Sequence, residues 1–216
     1  FAGRISAEAI AAIAKSFPIY FTIIAIGVGL TAGTNTLIGN NLGAKNKKKA
    51  SLFIAQSIIF AFFLSILVTF FGLNVSDFLL SIMGSDKEGI ILSRKYLDII
   101  FYGTVIVLIQ ISLNGTLNAQ GDTKSYRNVL IFSFFLNIFL NPLFIFGYGF
   151  IPAFGISGLA IATVVAQFIG LLYLAYKVYC CELKQYLRFQ CFIPKFDLLG
   201  ELTYQTIPVM FSMLLI

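Results

Sequence analysis

Histidine is absent from the 216 residues, which removes the commonest metal ligand and the general base of most hydrolytic chemistry. No HExxH pair, Gly-rich phosphate loop, or Ser or Cys beside a base is present either. The chemistry of an enzyme therefore has little to stand on, and no cofactor is expected. Charge is scarce as well: 11% of residues are charged, against about 25% in an ordinary soluble domain. The three cysteines, Cys180, Cys181 and Cys191, fall in one polar segment without CxxC spacing, so they read as reduced thiols.

What remains is apolar. Hydrophobic residues make up 59% of the chain and the mean hydropathy is +0.93, which defines an integral membrane protein. The net charge of +6 sits in short loops and reports topology, not a nucleic-acid partner. The chain opens on Phe1 without a signal-peptide pattern and stops at Ile216 inside an apolar run, so it is expected to be part of a longer polypeptide.

The stretch that organises the chain is 128–147, NVLIFSFFLNIFLNPLFIFG. It can cross a bilayer, which takes about 20 residues. Near its middle stand Asn137 and Asn141, one helical turn apart on one face, followed by Pro142. Proline has no N–H for the carbonyl of Ile138 and pushes it aside. Two carboxamides and a freed carbonyl are hard oxygen ligands for a small cation or a proton relay. The plainer alternative is that the amides only glue helices together.

Other spans are expected at 8–40, 50–73, 94–118, 156–177 and, beginning at 198, one more. Residues 1–4 read as the last turn of a preceding helix, and the apolar patch 78–83 as a segment lying along the interface. Small residues repeat at Ala25, Gly29 and Gly33, and at Gly158, Ala162, Ala166 and Gly170, faces suited to close helix packing. Gln56, Gln110, Asn114, Gln167, Asp98 and Tyr102 join the central amides as candidate cavity-lining groups, with Thr163 and Gln167 a polar pair beside the second stripe. Asp98 is either a proton or cation carrier or the salt-bridge partner of Arg94 or Lys95. Loop 42–49 carries four lysines and no acid, while 76–95 and 147–157 balance to zero. Positive charge stays inside, which places 42–49, 120–128 and 177–197 in the cytoplasm.

Three stretches together resemble the multidrug and toxic compound extrusion (MATE) family. They are TAGTNTLIGNNLGAKNKKKAS (31–51), LNGTLNAQGDTKS (113–125) and LNIFLNPLFIFGYGFIPAFGISGLAIATVVAQ (136–167). The resemblance implies an all-α polytopic transmembrane bundle, one six-helix lobe of a twelve-helix transporter with helix one mostly missing. It divides the chain into an amino-terminal lobe (1–179), a cytoplasmic inter-lobe linker (180–196) and the start of helix seven (197–216). It further implies antiport of H+ or Na+ against organic cations by alternating access, in a monomer in the cell membrane. The family's amino-lobe cation site maps onto Asn137, Asn141 and Thr163; its helix-one Asp would lie upstream of Phe1. Asn141 stands where some branches have Asp, and Asn118 where the fourth-helix motif usually has Arg. The alternatives are a lipid-linked-sugar flippase of the same superfamily, whose cavity should be basic where this chain offers only Lys15, and a non-transporting structural subunit.

Overall fold

A computed structural model describes residues 6–148, 152–187 and 189–215; the expected helix end at 1–4 lies outside these. Six α-helices follow one another among the described residues: α1 (Ala7–Gly43), α2 (Lys47–Ile82), α3 (Lys87–Ala119), α4 (Lys124–Phe146), α5 (Ile156–Tyr179) and α6 (Phe196–Leu214). Two short 3-10 turns, Glu182–Tyr186 and Phe189–Phe192, lie between α5 and α6. Helices α1 to α5 are long and apolar enough to cross a membrane. The shorter α6 carries Asp197 and Glu201 in its first turns.

The helices begin where the sequence supplies a side-chain acceptor for otherwise unpaired N–H groups. Ser6 Oγ accepts from Ala9 N (3.1 Å), Asn46 Oδ1 from Lys49 N (3.0 Å), and Asp86 Oδ1 from Gly89 N (3.0 Å). In the Gln-Gly-Asp-Thr-Lys turn Gly121 supplies a φ of +83°, which a side chain would resist. Asp122 then accepts from both the backbone N (3.0 Å) and the hydroxyl (2.5 Å) of Ser125. Those bonds, the hydroxyl's above all, hold the Asp122 carboxyl below the usual carboxylate range, and Lys177 adds to the effect.

Helix α2 corrects one expectation. The patch 78–83 does not lie along an interface but continues α2 to Ile82. Nothing breaks the helix before Gly84, whose φ is +73°. Arg94 also holds the final turns upright, donating to Leu73 O and Ser76 Oγ, both at 2.6 Å. At about 1.5 Å per residue, the 36 residues of α2 outrun the roughly 30 Å hydrocarbon core.

Packing centres on α3, which lies against α1, α2 and α5, while α4 has one substantial partner, α5. The small-residue stripes prove to be contact faces. A Cβ on Gly29 would stand 2.7 Å from the Thr206 carbonyl oxygen of α6, and one on Gly33 2.7 Å from Thr206 Oγ1. On α5, a Cβ at Gly158 would stand 2.5 Å from Phe144 O, and one at Gly170 2.6 Å from Val129 Cγ1. Of four apolar clusters among the described residues, two are large. One, around Ile38, Phe53, Leu117 and Leu202, lies toward the 3-10 turns; the other, around Ile23, Leu80, Leu97 and Phe101, toward the opposite end. Large side chains such as Phe62, Phe70, Phe135 and Phe139 point outward, as lipid-facing residues do.

Candidate functional site

The polar strip on α4 is built by spacing. Ser133, Asn137 and Asn141 follow one another at four residues, one face over two turns, about 12 Å of helix. Asn137 Nδ2 donates to Ser133 O at 2.9 Å, which turns the amide along the helix. Ser133 Oγ, Asn137 Oδ1 and Asn141 Oδ1 are all buried, and none has a hydrogen-bond partner among the described residues. An unpaired buried polar atom costs about 1–3 kcal/mol, so three in line ask for a partner. Pro142 lies inside α4, which continues to Phe146.

Helix α5 runs antiparallel beside this strip. Contacts at Val129–Gly170 and Phe144–Gly158 frame the pair. Asn137 and Thr163 each fall within a residue of the midpoint between them, so they share a depth on neighbouring helices. Thr163 Oγ1 donates its proton to Leu159 O (3.0 Å), which leaves the hydroxyl oxygen free to accept. The set as a whole offers neutral oxygens to a cation.

The remaining candidates separate into three groups. Gln56 does not line a cavity: it is fully buried, and its amide is consumed by the linker before α6. Nε2 donates to Cys191 O and Ile193 O, each at 2.8 Å, and Oε1 accepts from Lys195 N at 2.9 Å. Asp98 and Tyr102 also leave the cavity set. The buried face of α3 runs through Leu97, Phe101, Thr104 and Leu108, so positions 98 and 102 fall beside it. Asp98 pairs with Arg94 at 3.1 Å, the same guanidinium that reaches Asp77 at 3.5 Å. Tyr102 is 67% exposed, on an outer groove between α2 and α3 with Phe62 and Phe70.

Gln110 and Asn114 are buried, at 1% and 7% exposure. Both amide atoms of Gln110 and the Asn114 Oδ1 lack a partner among the described residues. Gln110 reaches the α4–α5 contact: its Nε2 lies 2.8 Å from where a Gly170 Cβ would stand. Gln167 is half-buried on α5. Sequence reasoning missed Ser133, Thr34 and Thr206, whose buried hydroxyl oxygens are likewise unpaired. Ser133 was detectable as the position four before Asn137; the two threonines were not, because α1 and α6 meet only in the tertiary structure.

The structure is thus a bundle of membrane-length helices with a strip of buried, unpaired oxygens along one of them. The MatE family model matches residues 1–143, and the chain belongs to the multidrug and toxic compound extrusion family. It is 29% identical over 214 residues to the probable multidrug resistance protein YoeA of Bacillus subtilis, covering 97% of this chain and 46% of that protein. It is also 29% identical to the FAD transporter of Shewanella oneidensis, covering 79% of this chain and 38% of that protein. The chain thus spans about half or less of these relatives. Among solved structures, an inward-facing multidrug resistance MATE transporter matches with a TM-score of 0.84 at 29% identity, covering 96% of this chain and 46% of that one. An outward-facing one matches with a TM-score of 0.85 at 28% identity, covering 99% and 47%.

Proposed function

We propose that the polypeptide containing this chain is a secondary transporter that exports organic cations in exchange for H+ or Na+, with Asn137, Asn141 and Thr163 holding the coupling ion. The observation that carries this reading is the row of buried, unpaired oxygens on α4, level with Thr163 on α5. Neutral amides and hydroxyls neither take up nor release a proton near pH 7. They hold sodium by its charge, or they accept hydrogen bonds from a protonated carboxyl contributed by the family's first helix. Ion binding draws α4 toward that helix across its proline-weakened end, and the closing of the strip biases the lobe between its two access states. Near-equal overlay on an inward-facing and an outward-facing relative supports a lobe that moves as a unit. Residues 1–179 form that amino-terminal lobe, 180–196 the inter-lobe linker and 197–216 the first helix of a second lobe. The loops 42–49, 120–128 and 177–197 face the cytoplasm, and the transporter works as a monomer in the cell membrane.

A cationic cargo is favoured over the anion that a flippase, or a carrier of a flavin dinucleotide, would take. Lys15, the basic residue this chain offers to such a cavity, is tied to the Gly84 carbonyl at 2.9 Å. The test uses the full-length protein in inverted vesicles energised by a proton or a sodium gradient, to which a fluorescent organic cation is added. Release of one ion on dye addition establishes antiport and names that ion. Silence with both, in vesicles holding folded protein, refutes cation antiport.

A further inference from the structure

Leu42 and Lys47, Gln120 and Asp122, and Lys177 and Glu182 come together around one pocket at an end of the bundle, and at that end a second polar feature lies apart from the α4 strip. On α2, positions 48, 52 and 56 share a face at four-residue spacing. Gln56, deepest of the three, pins the backbone of residues 191–195. The linker thus held arches over Leu52 and Lys48 and encloses a pocket of about 440 Å³. Among the described residues its polar lining is Lys48, Lys195, Gln185, Gln190 and Tyr186: two ammonium groups, two carboxamides and a phenol, with no carboxylate.

Two of the neighbouring acids are engaged, while Asp197, two residues past Lys195, forms no ion pair among the described residues and lies outside the pocket lining. Glu182 pairs with Lys47 at 2.9 Å and Glu201 with Lys49 at 3.6 Å; the Lys47 ammonium, donating a hydrogen bond, holds the Glu182 carboxyl below its usual range. Among the described residues Lys48 and Lys195 pair with no acid. Beside the pocket Phe192 (43% exposed), Ile193 (59%) and Phe196 (85%) face outward. Exposed apolar side chains beside basic groups bury their surface at the boundary between headgroups and acyl chains. Lys48 stands two residues before the apolar run of α2, which begins at Ala50, and a lysine at that boundary sets the pocket at headgroup depth.

We propose that this pocket binds the phosphodiester headgroup of an anionic phospholipid. The phosphate sits between Lys48 and Lys195, the amides and Tyr186 bond the headgroup hydroxyls, and the acyl chains run past Phe192, Ile193 and Phe196. Anionic lipid attracts basic groups near its surface. A soluble phosphate would use the two lysines equally well but would gain nothing from the exposed apolar rim, and that distinguishes the two sources.

The test is native mass spectrometry of the full-length protein in mild detergent, titrated with phosphatidylglycerol, with phosphatidylcholine, and with phosphatidylglycerol plus millimolar inorganic phosphate. Preferential retention of phosphatidylglycerol is expected. The pair Lys48→Ala with Lys195→Ala should lose that preference by roughly thirtyfold. Lys48→Arg with Lys195→Arg should keep it, as should Lys124→Ala with Arg127→Ala, which removes two charges from the same end of the bundle outside the pocket. Melting temperatures in the same detergent show that each variant is folded. Undiminished preference in the Lys48/Lys195 alanine pair, equal loss in the Lys124/Arg127 pair, or displacement of the lipid by inorganic phosphate would each overturn the proposal.

Discussion

Gln56 and the Asn137–Asn141 pair are the same chemical group in the same setting, a carboxamide within a membrane-spanning helix, yet the fold treats them oppositely. All three hydrogen bonds of Gln56 are taken by backbone of the linker before α6. The two asparagines leave their carbonyl oxygens buried and unpaired. A satisfied buried amide is a fastener, whereas an unsatisfied one is a cost that something else must repay. Hydrogen-bond satisfaction, more than polarity or depth, separates the fastener from the proposed ion site here.

The sharpest way to break the comparison is to remove one amide of each kind. Asn141→Leu should abolish coupled efflux in energised vesicles, losing at least the 10–100-fold that removal of even a supporting group around a bound ion costs. Its melting temperature should stay within a few degrees of the parent, because the amide oxygen had no protein partner to lose. Unchanged efflux would mean that the ion sits elsewhere. Gln56→Leu should do the reverse. It strands a backbone N–H and two carbonyls, which should destabilise the fold by about 3 kcal/mol in denaturant unfolding, while transport per folded molecule persists.

Gly158→Ala sharpens the contrast from the backbone side. The new methyl would meet Phe144 O at 2.5 Å, and such overpacking costs about 1–3 kcal/mol. Because Phe144 lies just past the strip, ion affinity should fall along with stability, as a sodium or proton titration of the vesicles would show. At Gly170, where the obstacle is side chain (Val129 Cγ1 and Gln110 Nε2), the same change should be milder.

Smaller effects come from the turn at 120–125. Asp122→Asn weakens the cap on α4 and should cost about 1 kcal/mol in thermal unfolding. The folded carboxyl is depressed below its unfolded value, so its stabilisation is present in full above the ordinary carboxylate pKa of about 3.9. That contribution fades as pH falls through the lower, folded value. Wild type and Asp122→Asn should therefore differ by a constant amount from neutral pH to about pH 5 and converge in stronger acid. The smallest effect belongs to Tyr102→Phe, on the outer face of α3, where transport should not change.

Much was legible in the residues themselves. Apolar runs of about 20 marked the spans, although α3 begins at Lys87, seven residues ahead of the expected 94, where Asp86 caps it. The paired asparagines before Pro142 marked the strip by local spacing alone. The end of α2 was misread because 74–82 mixes polar and apolar residues; what keeps it helical is Arg94, a group on the next helix. Asp98 stood open between ion carrier and salt bridge until Arg94 was found 3.1 Å away.

By itself, then, the sequence determined the membrane class, the order and approximate bounds of the helices, and the presence of oxygen donors on α4. These follow from composition and from contacts within a helical turn. Only the tertiary structure decided which polar groups find partners. Gln56 meets residues 191–195 across some 135 positions of chain, and Gly33 meets Thr206 on a helix at the far end of the sequence. No local pattern encodes those meetings, because hydrogen-bond satisfaction and close backbone approach depend on how whole helices dock.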